Sequence, residues 1–131
     1  VVIAVMVEKR ECVEDLDAIL SVKGLDMVQF GGSDYSMSIG LTGQRNHPAV
    51  KKAERDTIEM ALKKGLHPRV ELANIKEAAP YLEMGVQHFC IGWDVRILHE
   101  WWRANGEGMR AMLDDATPGT GKAAVAGGGT Y

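Results

Sequence analysis

Apolar residues along this chain form four strand-like segments separated by longer amphipathic stretches. The first segment, residues 1–7, is continuously apolar and rich in β-branched residues, which is typical of a strand buried on both faces of a parallel sheet. Three shorter segments of similar character follow at residues 27–30, 69–72 and 88–92. We predict that all four are β-strands.

Three helices are predicted from apolar residues that recur at helical spacing. One covers residues 13–20 and follows the first strand; Gly24 is its expected stop. A second begins at Pro48, a residue suited to the first turn of a helix, and ends before Gly65. The third begins at Asp94 and follows the last strand.

Three further segments are predicted from turn chemistry and composition. Asn74 and Glu77 form a capping pair for a helix after the third strand, and Pro80 should kink that helix or delay its start. Residues 33–47 are polar and contain glycine, so we expect a long loop, which in an α/β protein is more often functional than idle. Residues 114–131 hold almost no large apolar side chains and are expected to form a flexible tail.

Strands that alternate with helices predict a parallel sheet with right-handed crossovers. Two architectures fit this order: a small doubly wound sheet, or half of a (β/α)₈ barrel. The sequence starts inside a strand pattern and without a methionine, which favours the half barrel and a piece of a longer protein. Helices after every strand do not separate the two alternatives.

Composition excludes several classes of function. The 131 residues are 46% hydrophobic and 25% charged, with a net charge of −3, so bulk electrostatics favour neither a nucleic acid nor an anionic membrane as partner. The longest apolar stretch is far shorter than the roughly 20 residues that span a bilayer. Cys12 and Cys90 lie far apart in sequence, which makes a disulfide framework or a structural zinc site unexpected. We therefore expect a reducing, cytoplasmic environment.

Two carboxylates follow predicted strands and form the main candidate site. Glu8 comes after the first strand and Asp34 shortly after the second. Ends of neighbouring strands lie about 5 Å apart, so both side chains can reach one cation such as Mg²⁺ or Mn²⁺. The alternative is that Glu8 is a surface residue and Asp34 an ordinary turn residue.

The glycines before Asp34 offer a second kind of chemistry. Backbone N–H groups in Gly31-Gly32-Ser33 can approach a small anion such as a carboxylate, although paired glycines also occur in simple turns.

Trp101 and Trp102 in the last helix either belong to a core or pack on a neighbouring subunit. No P-loop and no serine nucleophile arrangement is present in the sequence.

Six segments of the chain match the pattern of a known family. They are Met6-Val-Glu8, Leu16-Asp-Ala-Ile-Leu20, Phe30-Gly-Gly-Ser-Asp-Tyr-Ser36, Ile39-Gly-Leu-Thr-Gly43, His47-Pro48 and Tyr81-Leu-Glu-Met-Gly85. In this order, over residues 2–113, the sequence resembles the HpcH/HpaI aldolases, which are metal-dependent class II aldolases that use pyruvate. The resemblance implies that residues 1–113 form the C-terminal half of a (β/α)₈ barrel of the phosphoenolpyruvate/pyruvate type. The tail, residues 114–131, follows this half barrel.

The resemblance also implies roles for particular residues. Glu8 and Asp34 fall on the family's two ligands for a divalent metal ion, which would be Mg²⁺, Mn²⁺ or Co²⁺. The backbone at Gly32, Ser33 and Asp34 falls where relatives bind the pyruvate carboxylate, and Glu71 falls near the aldehyde, where relatives often have an apolar residue. No catalytic acid–base residue is implied in this half, because the family's arginine and His–Asp pair lie in the first half of the barrel.

The expected activity is retro-aldol cleavage of a 4-hydroxy-2-oxo acid to pyruvate and an aldehyde. The resemblance further implies a homo-oligomer that exchanges its last helix between subunits. Two alternatives remain: a carbon–carbon lyase similar to the β subunit of citrate lyase, and a half barrel that binds metal without turnover.

Overall fold

The central element of the fold is a four-stranded parallel sheet. The computed structural model describes residues 1–116. Its strands pair in sequence order, β1-β2-β3-β4, and every pair is parallel. The strands are β1 (Ala4–Val7), β2 (Met27–Phe30), β3 (His67–Leu72) and β4 (His88–Ile91).

Helices follow each strand, as the sequence predicts. They are α1 (Arg10–Glu14), α2 (Leu16–Ile19), α3 (Gly32–Ser38), α4 (Pro48–Lys63), α5 (Ala79–Glu83) and α6 (Asp94–Ala116), with a 3₁₀ turn at Ile75–Glu77. The chain divides into two compact units: Val1–Gly92 contains the sheet and α1–α5, and the second unit begins at Trp93 and contains α6.

In the first unit, the helices pack on one face of the sheet. Val7 and Val28 lie in a buried cluster with Leu16 and Leu20 of the first connection, and Val70 lies in another with residues of α4 and α5. A doubly wound sheet would carry helices on both faces and a strand order that reverses direction. Sequential strand order with helices on one face instead defines the half of a (β/α)₈ barrel, which settles the architecture.

The predicted starts and stops are confirmed at several points. His47 caps α4 by accepting a hydrogen bond from the Ala49 N–H, and Pro48 lies in the first turn. Asn74 caps the 3₁₀ turn by accepting from the Lys76 N–H, and its side chain also donates to Glu77. The helix that contains Pro80 starts late, at Ala79, so the proline falls in its first turn, where its missing N–H costs nothing.

Three predictions about local structure are wrong. The first strand is not buried on both faces, because Met6 faces away from the helices and is 49% exposed. The segment predicted as a long loop contains α3, since buried Tyr35 packs its ring 5.2 Å from that of Phe30 and anchors a helical turn there. The predicted helix over residues 13–20 is two short helices that meet at Asp15.

The second unit is dominated by α6, which carries many exposed apolar side chains. They include Val95, Leu98, Trp101, Trp102 and Met112. The helix continues through Ala116, three residues into the segment predicted as a tail; residues 117–131 lie outside the described part of the chain. Within residues 1–116, no helix has the length and apolar character needed to cross a bilayer.

Candidate functional site

Three predicted site positions lie at one level across the carboxyl edge of the sheet. Val7 of β1 is paired with Phe30 of β2. The residues that follow them, Glu8 and Gly31, therefore lie side by side. Gln29 is paired with Arg69, so Gly31 and Glu71 are also level. With strands roughly 4.8 Å apart, Glu8 and Glu71 flank Gly31 with about 10 Å between their backbones. All three occupy the face of the sheet opposite the helices.

The absence of a side chain at Gly31 makes room for Glu8. A Cβ atom built on Gly31 would lie 2.8 Å from the Glu8 Cβ and 3.1 Å from Glu8 Oε2, and the first of these distances is closer than carbon atoms tolerate. The Gly31 N–H donates to the Val7 carbonyl at 2.9 Å and extends the pairing of β1 with β2 to this point. Glu8 is therefore held with its carboxylate beside the start of α3.

Asp34 reaches the same edge because α3 begins directly after β2. Gly31 is the N-cap of α3, and Asp34 lies in its first turn. The turn is stabilised by Ser36, whose hydroxyl donates to the Ser33 carbonyl at 2.7 Å. The first N–H groups of any helix lack partners within it, so those of Gly32, Ser33 and Asp34 face outward from the helix end. Glu8 and Asp34, predicted as a pair, are thus placed on adjacent segments.

The two carboxylates suit a divalent cation. Both side chains are half-buried, and neither has an ion pair or a hydrogen bond with any other described residue. A half-buried carboxylate without a partner is costly, and a bound cation removes that cost. Residues 1–116 contain no cluster of three or more His, Cys, Asp or Glu residues placed to hold a metal. Two protein carboxylates with remaining positions open to water and substrate oxygens fit Mg²⁺ or Mn²⁺ rather than a closed structural site.

A polar network that the sequence pattern does not indicate supports Glu71. Gln29, 6% exposed, donates from Nε2 to Glu71 Oε1 at 2.8 Å, and its Oε1 accepts from the Arg69 guanidinium. All three lie on the face opposite the helices. The only sequence signal was a glutamine inside an otherwise apolar strand, and the strand register is needed to show which residues it joins.

Arg45 is the other cationic group near this edge. Its Nε lies 3.6 Å from where a Cβ of Gly32 would stand, and the side chain is half-buried. Within the described chain, Arg45 has no ion-pair partner. Arg69, by contrast, donates a hydrogen bond to Gln29.

A parallel β/α sheet with acidic residues at its carboxyl edge is the arrangement of barrel enzymes that bind their ligands there. Residues 1–100 match the model of the HpcH/HpaI aldolase/citrate lyase family, and the chain belongs to that family. It is 35% identical over 96 residues to the 4-hydroxy-2-oxo-heptane-1,7-dioate aldolase of Klebsiella pneumoniae subsp. pneumoniae. The match covers 73% of this chain and 36% of that enzyme, so the chain spans about a third of the length of the curated relatives it matches.

Solved structures agree with this assignment. The HpcH/HpaI aldolase from Desulfitobacterium hafniense DCB-2 superposes with a TM-score of 0.77 at 28% identity, over 92% of this chain and 45% of that one. The citrate synthase SbnG superposes with a TM-score of 0.82 at 26% identity, over 86% of this chain and 46% of that one. The predicted family and the predicted half-barrel fold are both confirmed.

Proposed function

We propose that this chain is the metal- and pyruvate-binding half of a class II aldolase. The observation that carries the proposal is the pair Glu8 and Asp34: two half-buried carboxylates without protein partners, on adjacent segments of the sheet edge where barrel enzymes bind ligands. Membership of an aldolase family supports the same chemistry. A relative named for cleavage of 4-hydroxy-2-oxo-heptane-1,7-dioate supports a 4-hydroxy-2-oxo acid as the substrate class.

The proposed reaction breaks one carbon–carbon bond. A base removes the proton of the C4 hydroxyl, the C3–C4 bond breaks, C4 leaves as an aldehyde, and the electron pair forms the enolate of pyruvate. Protonation of C3 then gives pyruvate. A divalent ion held by Glu8 and Asp34 would polarise the 2-oxo group and stabilise negative charge on its oxygen.

The residues of this chain have distinct roles in that scheme. Glu8 and Asp34 bind the ion, which would be Mg²⁺, Mn²⁺ or Co²⁺. The N–H groups of Gly32, Ser33 and Asp34 orient the substrate carboxylate at the start of α3, and Glu71 contacts the part of the substrate that becomes the aldehyde. We assign no catalytic base to this chain.

The metal site is tested by calorimetric titration of Mn²⁺ into the protein that contains this chain at its native length. We expect Glu8→Gln and Asp34→Asn each to weaken binding about tenfold or more, because each removes one anionic ligand. Glu83→Gln removes the same charge from an exposed position on α5 and is the matched control. Unchanged affinity in both site variants would rule out the metal site.

A second candidate is a carbon–carbon lyase or synthase that acts on a different acid. The similarity to the citrate synthase SbnG favours keeping it. A coenzyme A thioester would need several cations at the mouth of the site, and of Arg45 and Arg69 only the first lacks a partner in the described chain. Cleavage assays with a 4-hydroxy-2-oxo acid and with an acyl thioester separate the two functions.

The apolar surface of α6 supports self-association. Trp101 and Trp102 are 55% and 66% exposed. Such exposure of adjacent large aromatic side chains is unusual on the surface of a monomeric protein. We propose that this helix packs in a homo-oligomer. A cytoplasmic location, expected from the cysteine usage, stays a prediction.

A further inference from the structure

We propose that Glu71, oriented by Gln29, determines specificity by accepting a hydrogen bond from a hydroxyl group on the aldehyde-derived part of the substrate. The site then favours hydroxylated, uncharged aldehydes over aldehydes that carry a carboxylate. The inference rests on the proposed aldolase function and assigns a substrate preference to it.

Glu71 lies beside the proposed metal site. It lies at the level of Glu8 and Gly31 on the same face of the sheet, with Gly31 between them, and the Met6 methyl group lies 3.3 Å from where a Cβ atom of Gly31 would stand. The space above Gly31 is therefore bordered by the proposed metal ligand on one side and by Glu71 on the other. A substrate held by the metal through its 2-oxo acid end would extend toward Glu71 with its remaining carbons.

Two hydrogen bonds fix the orientation of the Gln29 amide. Its carbonyl oxygen accepts from the Arg69 guanidinium, so its amide nitrogen is directed toward Glu71, to which it donates at 2.8 Å. Gln29 is buried, and both ends of its amide are used. The amide cannot rotate without losing two hydrogen bonds, one of them to a charged group, and this fixes the Glu71 carboxylate.

Glu71 offers a ligand one free hydrogen-bond acceptor. An ionised carboxylate only accepts hydrogen bonds, and Gln29 uses one oxygen of Glu71, which leaves the other free to accept. Arg69, on the same strand and face as Glu71, donates to Gln29 and so holds the amide that orients Glu71. A hydroxyl group can donate to the free oxygen, whereas a second carboxylate placed against Glu71 would meet like charge.

The test measures aldol addition of pyruvate with Mn²⁺, using the protein at its native length. Two acceptors are compared: glyceraldehyde, which is hydroxylated and neutral, and succinic semialdehyde, which is anionic. Exchange of the pyruvate methyl protons with deuterated solvent is followed in parallel, because it reports enolate formation without any aldehyde.

We expect the wild-type protein to prefer glyceraldehyde in kcat/KM. In Glu71→Leu the ratio of the two kcat/KM values should shift toward succinic semialdehyde by roughly 10- to 100-fold, the range for loss of a hydrogen bond to a charged group. Gln29→Met removes the hydrogen bond that holds the Glu71 carboxylate. It should shift the ratio of the two kcat/KM values in the same direction by a smaller factor. Glu83→Leu, on the opposite side of β3, should leave the ratio at its wild-type value.

The possible outcomes distinguish failure of the proposed role of Glu71 from failure of the proposed aldolase function. A ratio that stays within twofold of wild type in Glu71→Leu, while pyruvate exchange persists, overturns the role of Glu71 and leaves the aldolase standing. Loss of exchange in both Glu71→Leu and Glu71→Gln overturns it as well, because Glu71 would then serve enolate formation. Absence of exchange in the wild-type protein with Mn²⁺ overturns the proposed function and the inference together.

Discussion

Gly31 shows how one missing side chain shapes the candidate site. A Cβ atom there would collide with Glu8 at 2.8 Å, whereas a Cβ atom on Gly32 would meet its nearest neighbours at 3.6 Å, an ordinary contact distance. Both glycines follow the same strand, and neither has a positive φ angle. The two positions therefore differ in the room they leave for a Cβ atom, and only position 31 requires a residue without a side chain.

This difference predicts unequal effects of the same substitution. Gly31→Ala should weaken Mn²⁺ binding about tenfold or more, because the new methyl group displaces Glu8 while leaving its carboxylate in the sequence. Gly32→Ala should keep the Mn²⁺ affinity within about threefold, since Gly32 supplies no ligand and has room for a methyl group. Calorimetry on both variants, with melting temperatures to confirm folding, makes the comparison. Equal affinities in the two variants would show that Glu8 is free to move away.

At the level of residues, sequence patterns indicate the candidate site but not the hydrogen bonds that support it. Glu8 and Asp34 could be predicted because each follows a strand, and strand ends converge in any parallel sheet. The link between Gln29, Arg69 and Glu71 could not, because it depends on residues 40 and 42 positions apart that only the strand register brings together. Spacing along the chain carries no trace of such a contact.

Short elements were the least predictable part of the fold. The α4 helix was found because its apolar stripe and its proline at the start agree over 16 residues. The α3 helix, seven residues long, has no comparable stripe and forms because Tyr35 packs on Phe30, a tertiary contact. The conformation of α3 matters, because it places Asp34 in a first helical turn rather than in a loop.

A hydrogen-bonded bridge between α5 and α4 stabilises the region behind β3. The Tyr81 hydroxyl donates to Glu54 Oε1 at 3.1 Å, and Lys51 pairs with Glu54 Oε2 at 2.7 Å. Burial raises the pKa of the Tyr81 phenol, and the negative charge of Glu54 adds to the effect. The phenol therefore keeps its proton, and with it this hydrogen bond, through the neutral range.

Removal of that hydroxyl gives a prediction for stability. Tyr81→Phe should lower the free energy of unfolding by about 1 kcal/mol, the usual net contribution of such a bond. Because the Tyr81 pKa is higher in the folded chain than in the unfolded one, stability should fall as the pH rises past the ordinary tyrosine value of 10.0, and less so in the variant. Urea unfolding at neutral and alkaline pH measures both effects. Tyr35→Phe is the matched control, since no hydrogen bond from the Tyr35 hydroxyl is formed within the described chain; an equal loss in both variants would contradict the bridge.

For the molecule as a whole, the order of strands decides the architecture. The sequence left a doubly wound sheet and a half barrel open, because both place a helix after every strand. Pairing in the order β1-β2-β3-β4, with α1–α5 on one face, resolves the question and leaves the other face for polar groups such as Gln29 and Glu71. Strand order is a property of long-range pairing and has no signature in local patterns.

The open edges of the sheet lead to a prediction for the 131-residue chain studied by itself. Within the described residues, β1 pairs only with β2 and β4 only with β3, and Val2, Ile3 and Met6 beside the first edge are exposed. Unpaired strand edges with apolar side chains favour association through strand pairing. We expect the isolated chain to self-associate, as measured by light scattering.

The same isolated chain should bind Mn²⁺ without catalysing aldol cleavage. It carries Glu8 and Asp34, the proposed metal ligands, but the resemblance to the family implies that the proton acceptor and the enolate-stabilising cation belong to the other half of the barrel. Positioned acid–base groups typically contribute about 10²–10⁴-fold to rate, so their loss should take turnover below detection. The measurement is pyruvate release from a 4-hydroxy-2-oxo acid with Mn²⁺, compared between the 131 residues and the protein at its native length. Turnover by the 131 residues that scales with protein and disappears in Glu8→Gln would contradict the prediction. It would place the base among this chain's own residues, with His47 at the start of α4 and Glu71 at the end of β3 as the first two to substitute.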